Sequence, residues 1–295
     1  MKDKSFLLGI GSQRAGSTLL SRLLGKHPQV AIHPIKEVHY FDTLFDVRSE
    51  ELLKRFSGER LTTAINRICQ SKDHKFMSAR WKWQLRSDFE LFSKKITDID
   101  YSNLFTESAE TNYLKNRSFI GEITPEYMLL DETQVATIKD VIGGDALIFL
   151  LCRNPLKRMI SSFRLIVNFN CPDKSQDELH QIFINLIETQ HPWFLRQIKY
   201  SHYSQAYKIY KSHFSKVLVL CFDDIVQNPS YLLAQLSEFV GLDYRTTVKL
   251  GFFKRKVHTL PIKYEPSLDV KSRLQKIISP FTEDLSSFVG RELIH

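Results

Sequence analysis

Two stretches of this 295-residue chain combine residue types and spacing that could hold an anion. The first is Gly11 to Thr18, G-S-Q-R-A-G-S-T. It joins an apolar run (Phe6, Leu7, Leu8, Ile10) to leucines 19, 20, 23 and 24 at helical spacing. A glycine loop between a strand and a helix turns backbone amides and a helix N-terminus towards one point, where an anion is stabilised. Gly11, Gly16 and Thr18 meet the spacing of the nucleotide-triphosphatase loop, but Ser17 stands where that loop has lysine. An ATPase would lose its contact to the β- and γ-phosphates by this change. Arg14 and the hydroxyls of Ser17 and Thr18 still suit a phosphate. A plain turn joining strand to helix is the simpler alternative.

The second stretch follows A-L-I-F-L-L-C (146–152), a continuous apolar run of the kind found in central parallel strands. Arg153 comes directly after it, and Pro155 suits the first turn of a helix. On that helix Lys157, Ser161 and Arg164 share one face. Arginine offers a forked grip on phosphate, so this is a second anion site, separate from the first loop.

These groups need a scaffold. Short strands are expected near 5–10, 29–32, 118–121, 146–152 and 216–222, with helical segments between them. The pattern predicts a three-layer α/β domain around a mostly parallel sheet. A ligand would lie across the carboxyl ends of the strands. The reading is one domain over 1–295, with a helical insertion at about 43–116. Within the insertion, 50–56 and 61–69 look amphipathic, and Trp81, Trp83, Tyr101, Phe105 and Tyr113 dot the rest. It either meets a substrate or serves as a buttress. Helices are expected at 131–142, capped by Asp131, across 176–214, at about 229–240, and at 270–289 with a break near Pro280. Glu122 and Tyr127 either line a pocket or hold the turn at Thr124-Pro125. Asp223 and Asp224 read as structural caps.

Composition narrows the function. The net charge of +8 comes from scattered lysines and arginines, which disfavours nucleic acid. No apolar run approaches the roughly 18 residues needed to span a membrane. The N-terminal residues lack the features of a signal peptide, so a cytoplasmic enzyme is expected. Cys69, Cys152, Cys171 and Cys221 form no C-x-x-C pair and read as buried free thiols. The histidines show no zinc-like spacing, so no metal is expected.

R-A-G-S-T-L-L-S-R-L-L-G-K-H-P (14–28) resembles the first signature of the sulfotransferases that use 3′-phosphoadenosine 5′-phosphosulfate (PAPS). K-E-V-H-Y-F-D (36–42) is similar to the E-V-H-F-F-D of the heparan-sulfate-type members. Arg153 and Ser161, eight residues apart, resemble the second signature. The resemblance implies a fold related to the nucleotide kinases and sulfuryl transfer from PAPS without metal. It places Arg14, Ala15, Gly16, Ser17 and Thr18 on the 5′-phosphosulfate, and Arg153 and Ser161 on the 3′-phosphate. Lys254 and Arg255 would form the basic loop over the 3′-phosphate, although the family's usual lysine-glycine pair is absent. Glu37 matches the family's general base; His39 would orient the acceptor or act as base itself. Arg14 would neutralise charge on the leaving phosphate.

G-E-I-T-P-E-Y (121–127) resembles a further family stretch, with Ile123 where a lysine is frequent. In heparan-type enzymes that lysine faces the acidic sugar. Its loss favours a small soluble acceptor, of the kind met in secondary metabolism, sulfated on a hydroxyl or amine. Sulfation of a glycan or polysaccharide is the alternative. A nucleoside-phosphate kinase and a non-catalytic binder of adenosine phosphates or anionic glycans are the rival functions.

Overall fold

The computed structural model describes residues 4–70, 78–106, 113–254 and 263–289. In chain order the regular elements are β1 (Ser5–Gly11), α1 (Ser17–Leu24), β2 (Val30–Ile32), α2 (Tyr40–Leu44), α3 (Glu50–Gln70) and α4 (Ala79–Ser93). Next come β3 (Phe119–Ile123), α5 (Glu132–Ile142), β4 (Leu147–Cys152), α6 (Pro155–Asn170), α7 (Gln176–Glu188), α8 (Pro192–Lys199) and α9 (Tyr203–His213). The last are β5 (Lys216–Cys221), α10 (Phe222–Gln227), α11 (Pro229–Val240), α12 (Tyr244–Thr247) and α13 (Leu268–Val289).

The five strands form one sheet in the order β2-β3-β1-β4-β5, every pair parallel. The expected three-layer α/β architecture is therefore present. Alternation along the strands explains the layers, because successive side chains point to opposite faces. Phe6, Leu8, Ile10, Ile148 and Leu150 enter one core; Leu7, Leu147, Phe149 and Leu151 enter the other. A third core lies beneath α6, α7 and α13, where Phe163 stacks on Phe183 at 4.3 Å.

Two helices differ from expectation. The two amphipathic stretches of the insertion are one continuous helix, α3, because no proline separates them and a single glycine, Gly58, does not end a helix. Gly58, midway along it, lets Phe92 of α4 approach; a Cβ there would sit 2.9 Å from that ring. Helix α13 runs through Pro280 unbroken. Proline costs a helix one N–H and crowds the preceding turn, but Val270, Leu274, Ile278, Thr282 and Leu285 bury this helix on both sides of it.

The insertion docks onto the sheet through His33, just past β2. Ile35 N donates to His33 Nδ1, so Nε2 carries the proton and reaches the Leu104 carbonyl and Ser87 Oγ, both at 3.2 Å. Burial pushes this imidazole down to about 3, which keeps it neutral. Trp83 packs edge-on against it at 4.8 Å and donates to the Leu104 carbonyl at 2.6 Å. Trp83 is therefore part of the core. Cys152 and Cys221 are buried free thiols, while Cys69 on α3 is free and exposed and Cys171 is free and half-buried, contrary to the expectation for those two residues.

Candidate active site

Because all strands run parallel, their carboxyl ends share one edge, and the functional candidates follow those ends. The loop 12–16 follows β1, Glu37 and His39 come after β2, Thr124 to Glu126 follow β3, and Arg153 follows β4.

The loop after β1 is tight. Ser12 N donates to the Leu151 carbonyl at 2.9 Å, and Ala15 N to the Ser12 carbonyl at 3.1 Å. Gly11 has φ +132°, and a Cβ there would strike the Leu151 backbone. Gly16 has φ +95°, and a Cβ would lie 2.7 Å from the Phe222 ring. Both glycines are required by conformation and by space. Gly16 caps α1 with no side-chain bond, so the first-turn amides of Ser17 and Thr18 remain directed beyond the helix. Ala15 and Ser17 are buried; Ala15 has only its backbone to offer an anion.

The two anion arms join at Arg14, itself held at φ +70°. Its Nε donates to Ser161 Oγ at 3.1 Å, and Arg153 donates to the Arg14 carbonyl at 2.9 Å. Arg153 stacks over the Phe222 ring at 4.7 Å, and its Nε is buried without a partner. Burial lowers the pKa of both arginines; Glu37 partly offsets this for Arg14, and Asp223 for Arg153, while Arg14 lowers Arg153 further by direct repulsion. Two mutually repelling guanidinium groups, one with an unpartnered Nε, could together take up a polyanion. Arg164 turns elsewhere: it donates to the Tyr264 carbonyl at 2.7 Å and pairs with Glu265. Lys254 ends a short 3-10 turn, and its side chain and all of Arg255 lie outside the described residues.

Glu37 and His39 face this site from the loop after β2. Both have positive φ, +64° and +57°, which costs energy in non-glycine residues and needs support from the surroundings. Support comes from β3 and its turn. Val38 N donates to Glu122 Oε2 at 3.3 Å, and Tyr40 N to the Tyr127 hydroxyl at 3.1 Å. Glu122 in turn accepts from the hydroxyls of Tyr101 (2.7 Å), Tyr127 (2.8 Å) and Thr124 (2.6 Å). Of the two readings of Glu122 and Tyr127, the one that makes them hold the turn is the one found.

His39 lies among carboxylates. Its Nδ1 donates to Asp42 Oδ2 at 2.7 Å, Glu126 Oε2 is 3.9 Å from Nδ1, and Glu37 Oε2 is 3.6 Å from Nε2. Burial pulls the His39 pKa down, but Asp42 and Glu126 outweigh it and raise the imidazole to about 10. Burial works against the Glu37 charge, yet bonds from His39 and Lys36 hold its carboxyl well below the usual range. At neutral pH His39 is an imidazolium and Glu37 a carboxylate. Asp42 and Glu126 were not anticipated as parts of the site. Asp42 sits in the quoted K-E-V-H-Y-F-D stretch, three residues after His39, the spacing that joins side chains across one helical turn. Glu126 had no local signal, since its place depends on how the β3 turn meets α2.

With this geometry in view, comparison with known proteins places the chain: it belongs to the sulfotransferase family, whose model matches residues 7–246. Among solved structures, a sulfotransferase from Alicyclobacillus acidocaldarius is similar in fold, with TM-score 0.57 and 18% identity, covering 98% of this chain and 97% of that one. More distant likenesses are the sulfotransferase STF9 from Mycobacterium avium (TM-score 0.46, 12% identity, 96% and 77% coverage) and the sulfotransferase domain from the curacin biosynthetic pathway (0.42, 14%, 94% and 98%). No curated protein matches the sequence.

Proposed function

We propose that the chain transfers the sulfuryl group of PAPS to a hydroxyl or amine of a small acceptor. The observation that carries this reading is the Arg153–Arg14–Ser161 linkage beside the glycine loop, with Glu37 opposite. It supports two anionic groups held in fixed relation, as a nucleotide with a 5′-phosphosulfate and a separate 3′-phosphate requires. The fit rests on the buried, unpartnered Arg153 Nε and on the repulsion between the two guanidinium groups, which such a ligand relieves. PAPS, when bound, supplies the activated sulfuryl group.

The chain's own residues would do the rest. The loop amides and Arg14 hold the phosphosulfate end, and Arg14 stabilises charge growing on the departing phosphate. Arg153 and Ser161 hold the 3′-phosphate. Glu37 accepts the proton of the acceptor. His39, protonated and fixed by Asp42, orients Glu37 and the acceptor and leaves Glu37 the one ready base of the pair.

The buried Ile123, 3% exposed, packs over Gly9 and adds no cation to this edge, which favours a neutral or weakly charged acceptor over an acidic polysaccharide. Among the described residues no helix is long and apolar enough to cross a membrane. The reading remains one of a cytoplasmic enzyme acting in small-molecule metabolism. Incubation with labelled PAPS and an acceptor panel, in chelator, tests the proposal. Label should move to at least one hydroxyl or amine acceptor. Bound nucleotide with no transfer to any acceptor would instead indicate a binding protein.

A further inference from the structure

We infer that Glu37, His39 and Glu126 form a binding site for a zinc-like divalent ion, and that such an ion competes with the acceptor for Glu37. The reaction proposed above uses no metal, so the ion is an inhibitor of that site. One ligand atom from each of the three residues lies within 4.8 Å of the others. Ligands bonded to a tetrahedral zinc at about 2.0–2.1 Å stand about 3.4 Å apart. Glu37 Oε2 and His39 Nε2 are 3.6 Å apart, close to that edge length.

The roles of the neighbouring atoms divide cleanly. Lys36 takes the other Glu37 oxygen, Oε1, leaving Oε2 turned to His39. Asp42 Oδ2 accepts from His39 Nδ1 at 2.7 Å, and the proton on Nε2 that faces Glu37 leaves to solvent when the ion binds, which makes Nε2 the ligating nitrogen. A carboxylate behind the imidazole is the arrangement that fixes tautomer and ring orientation in metal-ligating histidines.

Glu126 is the independent observation. It is only 4% exposed, and its Oε2 has no hydrogen-bond partner. A buried, unpaired carboxylate oxygen is costly unless something compensates it. The His39 ring, with Nδ1 3.9 Å away, and more weakly Arg48 offset its charge, while Glu37 and Asp42 add to the repulsion. A divalent ion bound by Glu37, His39 and Glu126 satisfies that oxygen and relieves the crowding of carboxylates.

Isothermal titration of the full chain with Zn2+ alone tests the inference without any sulfuryl transfer. One ion should bind per chain. Glu126→Gln and Glu126→Ala should each weaken binding at least tenfold, and Asp42→Asn by about ten- to a hundredfold through His39. Titration of the unmodified protein with Co2+, followed by its visible absorption, should give the intense bands of a four- or five-coordinate site, and needs no variant to fold. No saturable zinc binding, an octahedral cobalt spectrum, or folded Glu126 variants that titrate like the unmodified protein would each overturn the site. Zinc bound at these residues by a protein that transfers no sulfuryl group would leave the site standing and remove the proposed activity.

Discussion

Asp42 and His39 face each other across a single helical turn, with Oδ2 and Nδ1 2.7 Å apart and the aspartate fully buried. This pairing decides how protons are distributed in the site. It holds the imidazole in its charged form, so His39 has no free lone pair to offer an acceptor at neutral pH. Glu37, on the other side of the ring, keeps its negative charge.

The first prediction concerns the base. Glu37→Gln keeps the shape and removes the accepting carboxylate. Turnover should fall by about a hundred- to ten-thousand-fold, the usual worth of general base catalysis. Nucleotide affinity should change little, because Glu37 lies outside the glycine loop. His39→Asn should be milder. The pH profile separates the roles: with Glu37 as base, turnover stays level from about pH 7 to 9, since Glu37 is ionised throughout and His39 keeps its proton. Turnover that climbs across this range, together with a nearly active Glu37→Gln enzyme, would move the base to His39.

The second prediction is about stability. The folded-state pKa of His39, about 10, exceeds its ordinary value of 6.5. The imidazolium therefore contributes stability that is complete below about pH 6.5 and is lost as pH rises through about 10. Denaturant unfolding followed from pH 6 to 10 should show this decline. His39→Gln and Asp42→Asn should flatten it. An equally steep decline in both variants would show that other groups govern the dependence.

Much of this was legible in the chain, and the gaps have physical causes. The five strands were readable because parallel strands buried on both faces are continuous apolar runs, as at 146–152. The glycine loop was readable because left-handed backbone and close approach both select glycine. Arg14, Glu37 and His39 carry no such signal for their positive φ; the loop of Glu37 and His39 is held by bonds from Val38 and His39 to Glu122 and Thr124, and Arg14 by its bonds to Ser161 and Arg153. Glu126 was missed for the same reason: local pattern does not reveal which turn packs against which. The sequence left Trp83 open between facing a substrate and packing inside; its indole bonds the Leu104 carbonyl within the core.

A third prediction follows from the linkage at Arg14. Arg153→Ala should weaken binding of 3′-phosphoadenosine 5′-phosphate far more than of adenosine 5′-phosphosulfate. Ser161→Ala should be less selective, since Ser161 also receives the Arg14 guanidinium. Arg14→Ala and Ser161→Ala should be non-additive, because groups in direct contact share their interaction energy. Calorimetry on the four proteins of that cycle measures it. Strict additivity would mean that the 3.1 Å bond carries no energy.

The last prediction concerns the support beneath the site. Glu122 is 1% exposed and accepts from three hydroxyls and one amide. Glu122→Gln turns one acceptor oxygen into a donor facing groups that are themselves donors. Each buried group left unpaired costs about 1–3 kcal/mol, so urea unfolding should show a loss of at least that order. Tyr127→Phe should also destabilise, because its hydroxyl takes the amides of Tyr40 and Phe41 as well as donating to Glu122. The loop bearing Glu37 and His39 hangs from this network, so turnover should fall in both variants even where they remain folded. Nucleotide affinity should be spared, because the glycine loop and Arg153 take no bond from Glu122 or Tyr127 among the described residues. A Glu122→Gln protein with unchanged unfolding and unchanged turnover would show that the positive-φ pair is held by its own local sequence rather than by β3.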